Sequence, residues 1–173
     1  MKTIYASALL TGTLLGLLFT GGLFFSWKQG IDFMVSFHKY YALLPVILVS
    51  ILGAAFFIEQ RQHWAIDWKL IIRFAFLSYI IYEIFYALAN YFLFDIVDPS
   101  SYLRMVDTLN REDVQRLKEA NAPEDKIKEL IKMGEYAKQP ITWMQRMVAI
   151  GQNLILDFIK SVLIGFVIKQ VKR

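Results

Sequence analysis

Long apolar runs separated by short polar connections dominate the chain, and polar character persists in only one place. Residues 4–27, 41–58, 70–94 and 147–168 are apolar runs, and a helix rising about 1.5 Å per residue needs roughly 20 residues to cross a bilayer core. Between the third and fourth runs, charged residues prevail, and apolar ones recur at helical spacing. Val114 and Leu117 do so in one stretch, and Ile127, Leu130, Ile131 and Gly134 in the next. The pattern predicts an all-α, polytopic membrane protein of four transmembrane helices. Residues 1–94 hold three spans and short loops, 95–143 form an amphipathic helical extramembrane excursion, and 144–173 hold the fourth span and a basic tail.

The local signals sharpen these bounds. The first run follows Lys2 but exceeds the core of a signal peptide and lacks a small-x-small cleavage pattern, so it is expected to stay as a span. Ala8, Gly12, Gly16 and Thr20 recur every four residues in it and present a small face on which another helix can pack closely. Residues 28–40 read as a short amphipathic connection, Pro45 falls in the first turns of the second span, and Trp64 and Trp68 anchor the 59–69 loop at headgroup depth. In the excursion, Asp98 and Pro99 start a helix reaching about Leu109, and Asn110 can cap another. Asn121 with Glu124 forms a capping-box variant, and Gln139-Pro140 ends the last helix.

Charge inside the apolar runs points to a site. Asp157 and Lys160 sit near the middle of the fourth run, where each costs roughly 2.5–3.5 kcal/mol on an insertion scale. They are three residues apart and share a stripe with Asn153, Ser161 and Gly165. Glu83 lies at similar depth in the third run, flanked on its face by Tyr79, Tyr82, Tyr86 and Asn90. A charge in lipid needs a partner, so Lys160 is expected to bridge Glu83 and Asp157, with one of the two carboxyls holding a proton. The intramembrane polar cluster is therefore Glu83, Asp157, Lys160, Asn90 and Asn153. The aromatics from Phe74 to Phe94 read as packing, with quinone or lipid binding a lesser alternative.

Composition removes other classes. The chain of 173 residues is 57% hydrophobic and 20% charged, with no cysteine and a net charge of +4. Absence of cysteine excludes disulfides, Fe–S ligation and thiol catalysis within the chain. The basic residues sit at span edges or alternate with acids in the excursion, so nucleic acid is not expected as a partner. His38 and His63 fall in different loops, which leaves no metal site. No phosphate loop, G-x-S-x-G or H-E-x-x-H occurs, so neither cofactor nor enzyme activity is expected. A raw count of Lys and Arg favours external termini. The unopposed tail Lys169, Lys172 and Arg173 against an excursion of interleaved signs favours cytoplasmic termini, and that orientation is preferred.

D-P-S-S-Y-L at 98–103, the acidic-basic helix LKEANAPEDKIKELIKMGEYAKQP at 117–140 and a last span ending in a basic tail resemble a bacterial four-helix membrane family known only as a domain of unknown function, number four-one-nine-nine. The resemblance implies an inner-membrane location and four helices over essentially the whole chain. It transfers no functional residue, and it departs at Asn121-Ala122, where the family usually has glycine. The expected role is structural or accessory, in a homo-oligomer or a larger membrane complex joined through the Ala8 to Thr20 face. The alternative is a proton- or ion-conducting element built on Glu83, Asp157 and Lys160.

Overall fold

The computed structural model describes residues 2–43, 45–63, 65–139 and 142–171. Trp64, Pro140, Lys172 and Arg173, to which the sequence assigns an anchor, a helix stop and a basic tail, lie outside the described residues. Those described form helices α1 (Lys2–Gln29), α2 (Ile31–Leu43), α3 (Val46–Arg61), α4 (Trp68–Tyr91), α5 (Pro99–Glu119), α6 (Glu124–Ala137) and α7 (Trp143–Val171), with a π-helical stretch at Phe92–Val97 continuing α4. Helix α4 is the centre of the bundle. Helices α1 and α7 make their largest contacts with it, α3 touches α4 and α7, and the α5–α6 hairpin folds back through α5 onto α2.

The breaks have local causes. Gly30, at φ +106°, separates α1 from α2, a backbone region that glycine enters without a Cβ penalty. Residues 28–40 are thus not a loose connection but the end of one helix and most of another. Pro45 precedes α3 and cannot continue α2. Asp67 caps α4 by accepting from Lys69 N at 3.2 Å.

Asp98 caps α5 as the sequence predicts. Its carboxylate accepts from Ser101 N at 3.1 Å, Ser100 Oγ at 2.6 Å, Arg104 Nη2 at 3.0 Å and, from the end of α1, Trp27 Nε1 at 3.1 Å. The Ser100 hydroxyl and then the Trp27 indole, with Arg104 and the Ser101 amide, hold this carboxyl below its ordinary value. The stability it contributes is complete above the ordinary carboxylate range and is lost as pH falls through the depressed value.

Two cap assignments need correction. Helix α5 runs unbroken to Glu119, so Asn110 caps nothing; its side chain lies where a Cβ on Gly134 of α6 would fall, at the crossing of the hairpin. Asn121 closes α5 rather than opening α6. It sits at φ +51°, with its own N–H on Lys118 O at 3.0 Å and that of Ala122 on Leu117 O at 2.9 Å. Those two bonds are a Schellman motif, whose left-handed position favours glycine and tolerates asparagine, which accounts for the one departure from the resembled family. Pro123, not Asn121, precedes α6.

By length and composition, two helical segments can cross a membrane, Thr3–Gln29 and Trp68–Val97. A third is available if Ile31–Tyr41 and Val46–Arg61, bent by 50°, act as one span. The expectation of four exceeds this count by α7. That helix has 29 residues, ample for a bilayer, but it carries Asp157, Lys160 and Lys169 along its apolar half.

Candidate functional site

The small face of α1 is used inside the chain. A Cβ on Gly12 would lie 2.6 Å from Ser78 O, one on Gly16 would lie 2.5 Å from Phe85 Cβ, and Ser78 Oγ donates to Ala8 O at 3.3 Å. Thr20 turns back on its own helix, donating to Gly16 O at 2.8 Å. The expectation that Ala8, Gly12, Gly16 and Thr20 receive another chain is thus overturned, because α4 occupies the face. The same device recurs on α7, where Gly165 meets Ile72 of α4 at 2.5 Å from its ideal Cβ.

Helices α4 and α7, with α1, α2 and α3, line a half-open cavity of about 460 Å³. Four of the five expected polar residues line it: Glu83, Asn153, Asp157 and Lys160. Their pairing differs from the expected bridge. Lys160 Nζ lies 2.8 Å from Asp157 Oδ1 within α7 and 5.4 Å from the centroid of the Tyr79 ring. Glu83 Oε2 instead accepts from Asn153 Nδ2 at 3.3 Å, and no ion pair joins it to Lys160 among the described residues. The helical offset explains this. A three-residue step places Lys160 directly over Asp157, while Asn153 is the α7 residue that reaches Glu83.

Asn90, the fifth, lies nearly two turns further along α4, outside this cavity. It donates to Tyr86 O at 2.7 Å and lines a second hollow of about 440 Å³ with Asp95, Tyr102 and Arg146. Arg146 Nη2 and Asp95 Oδ1, 2.5 Å apart, tie the start of α7 to the end of the α4 span there.

Sequence reasoning missed three polar groups. His38, expected as an interfacial side chain, lines both hollows and donates Nδ1–H to Met34 O at 2.9 Å. Tyr41 reaches across to hydrogen-bond the Tyr82 hydroxyl. Glu59, expected in a loop, is fully buried at the end of α3, where it accepts from Ile66 N at 3.4 Å. Its signal is the four-residue step Ile51, Ala55, Glu59 along the inward face. Among the described residues no group of three or more His, Asp or Glu could hold a metal ion.

The fold and this site define an all-helical bundle with two, up to three, helices long and apolar enough to cross a membrane, packed around a polar cavity. The chain belongs to the family described as "Protein of unknown function (DUF4199)", whose model matches residues 6–170. No curated protein and no solved structure matches it.

Proposed function

We propose that the chain is a four-span integral protein of the bacterial inner membrane, with a non-catalytic, structural or accessory role. Its termini are cytoplasmic and the α5–α6 hairpin is periplasmic. One observation carries this reading. On α7, Asp157 and Ser161 are buried, while Ile155, Phe158, Ile159, Leu163 and Phe166 are each at least half exposed. A helix in water buries the opposite face, whereas lipid accepts these apolar side chains without penalty. Helix α7 is then the fourth span, and the bent α2–α3 pair is the second. Lys169 against the Trp68 ring, at 5.0 Å, and Arg61 over Phe57, at 4.5 Å, suit the headgroup level at the terminal end of the bundle.

In this reading the Glu83–Asn153 bond fastens α4 to α7, and the Asp157–Lys160 pair is neutralised inside α7. A second copy or another membrane chain binds on the outer apolar faces, since α4 fills the small-residue face of α1. Conduction draws on the same residues and ranks second, because Lys160 closes on Asp157 and does not relay to Glu83.

The sequence has no cysteine, so single substitutions Thr3→Cys, Asp125→Cys and Gln170→Cys can each be labelled with an impermeant maleimide in intact cells. Labelling of Asp125→Cys alone is expected before lysis, and all three after it. Terminal cysteines falling on opposite sides of the membrane would sink the four-span reading.

A further inference from the structure

We infer that the cavity between α4 and α7 is a binding site for a small organic ammonium ion. This deepens the accessory reading and rests on it for the apolar surroundings that make the site's charge matter. The charge is the first ground. Glu83 and Asp157 present two carboxyls to the cavity against one ammonium, Lys160, and Lys160 is already 2.8 Å from Asp157. The other titratable side chains facing it are His38 and the tyrosines, so nothing else on the walls supplies a fixed positive charge. Glu83 is left with a neutral amide as its partner.

Unpartnered polar atoms are the second ground. Asp157 and Tyr79 are each 2% exposed and line the cavity, yet Asp157 Oδ2 and the Tyr79 hydroxyl have no hydrogen-bond partner among the described residues. A buried carboxylate oxygen without a donor costs free energy. Asp157 Oδ2 is closed off from direct contact, so a cation in the cavity offsets that cost through its field across an apolar surrounding.

The walls select the kind of cation. Calcium or magnesium needs about six oxygen ligands and zinc about four donors, and the described residues offer no group of three or more His, Asp or Glu that could hold a metal ion. An anion would add to the excess negative charge. The remaining lining is part aliphatic, with Pro45, Ile47, Leu48 and Leu156, and part aromatic, with Phe19 and four tyrosines, of which Tyr41 and Tyr86 are only half-buried. Ring faces beside a carboxylate recognise ammonium groups, primary or quaternary. Lys160 already demonstrates the geometry, held between the Asp157 carboxylate and the Tyr79 ring. At about 460 Å³ the cavity lies in the usual range of roughly 300–1,000 Å³ for small-molecule sites. His38 and Tyr86 also line the second hollow, which extends to Pro99 and Tyr102 of α5 on the hairpin side.

The test is calorimetric titration of the full chain in phosphatidylglycerol nanodiscs, which contain no choline. The probes are choline, tetramethylammonium and the neutral choline isostere 3,3-dimethyl-1-butanol. Saturable binding of at least one ammonium probe at one per chain is expected, with the alcohol at least tenfold weaker than choline. Glu83→Gln should weaken ammonium binding at least tenfold, and Tyr86→Leu, which keeps every charge, severalfold. No saturable ammonium binding, as expected if a proton alone fills the charge, would overturn the inference. So would equal binding of the alcohol, or unchanged affinity in Glu83→Gln. Such a failure with the cysteine topology intact removes only this inference, whereas termini on opposite sides remove the four-span reading itself.

Discussion

Lys160→Met is expected to destabilise the bundle by about 3 kcal/mol, the low end of the range for removing one partner of a buried ion pair. The low end applies because Lys160 is 43% exposed whereas Asp157 is 2% exposed. The cost arises mainly at Asp157. Its Oδ2 has no partner among the described residues, so losing Lys160 leaves the buried carboxyl with no cation beside it. Packing is not the cause, since methionine keeps most of the aliphatic stem. Adding Asp157→Leu to Lys160→Met should therefore recover much of the loss, because an apolar pair requires no solvation in this setting. Denaturant-induced unfolding in detergent, followed by circular dichroism for the wild type, both single variants and the double variant, gives the coupling directly. A Lys160→Met single variant as stable as wild type would mean that the pair does not hold the site together.

Gly12→Val should destabilise by about 3 kcal/mol, at the upper end of what overpacking a close contact costs. The obstruction is a backbone carbonyl, Ser78 O, 2.6 Å from where the new Cβ would sit, with Ile81 beside it. A side chain can rotate away, but a carbonyl in the middle of α4 cannot move without moving the helix. Gly21 lies on the same helix with nothing within 4 Å of its ideal Cβ. Gly21→Val is thus expected to change stability by well under 1 kcal/mol, since only backbone propensity is at stake. The same unfolding assay checks both. Equal losses at the two positions would show that α1 does not pack on α4 through this face.

The spacing that reveals the Gly12 face in the sequence does not reveal its partner, and this limit recurs through the molecule. Periodicity finds the helices because burial imposes a period on each one separately. It also placed Glu83, Asn153, Asp157 and Lys160 on inward stripes, and the cavity brings those four together. What it could not supply was azimuth between helices. The rotation of α7 relative to α4 decides that Asn153, not Lys160, meets Glu83, and nothing local encodes that angle. Asn90 was assigned to the same stripe, yet it faces a different hollow because it is nearly two turns beyond Glu83. His38 is hidden for another reason: the break at Gly30 makes residues 31–43 a helix that turns it inward, where a loop would leave it at the surface. Asn121 resembles a helix start because capping residues look alike at either end of a turn, and only its positive φ marks it as a helix end. Asn110 is overridden by its place inside α5, where it packs at Gly134.

Disulfide trapping tests most directly the proposal that α7 crosses the membrane with its Asp157 face against α4. The Phe76 and Phe158 rings meet with centroids 5.4 Å apart, so Phe76→Cys with Phe158→Cys should oxidise readily in native membranes under copper phenanthroline. Phe76→Cys with Ile159→Cys is the control, at nearly the same depth but about 200° round α7 from the buried Asp157, whereas Phe158 is only about 100° round. Rapid trapping of the first pair and slow trapping of the second is the predicted result. Equal rates, or faster trapping at Ile159, would contradict the arrangement on which the cavity and its proposed ligand depend.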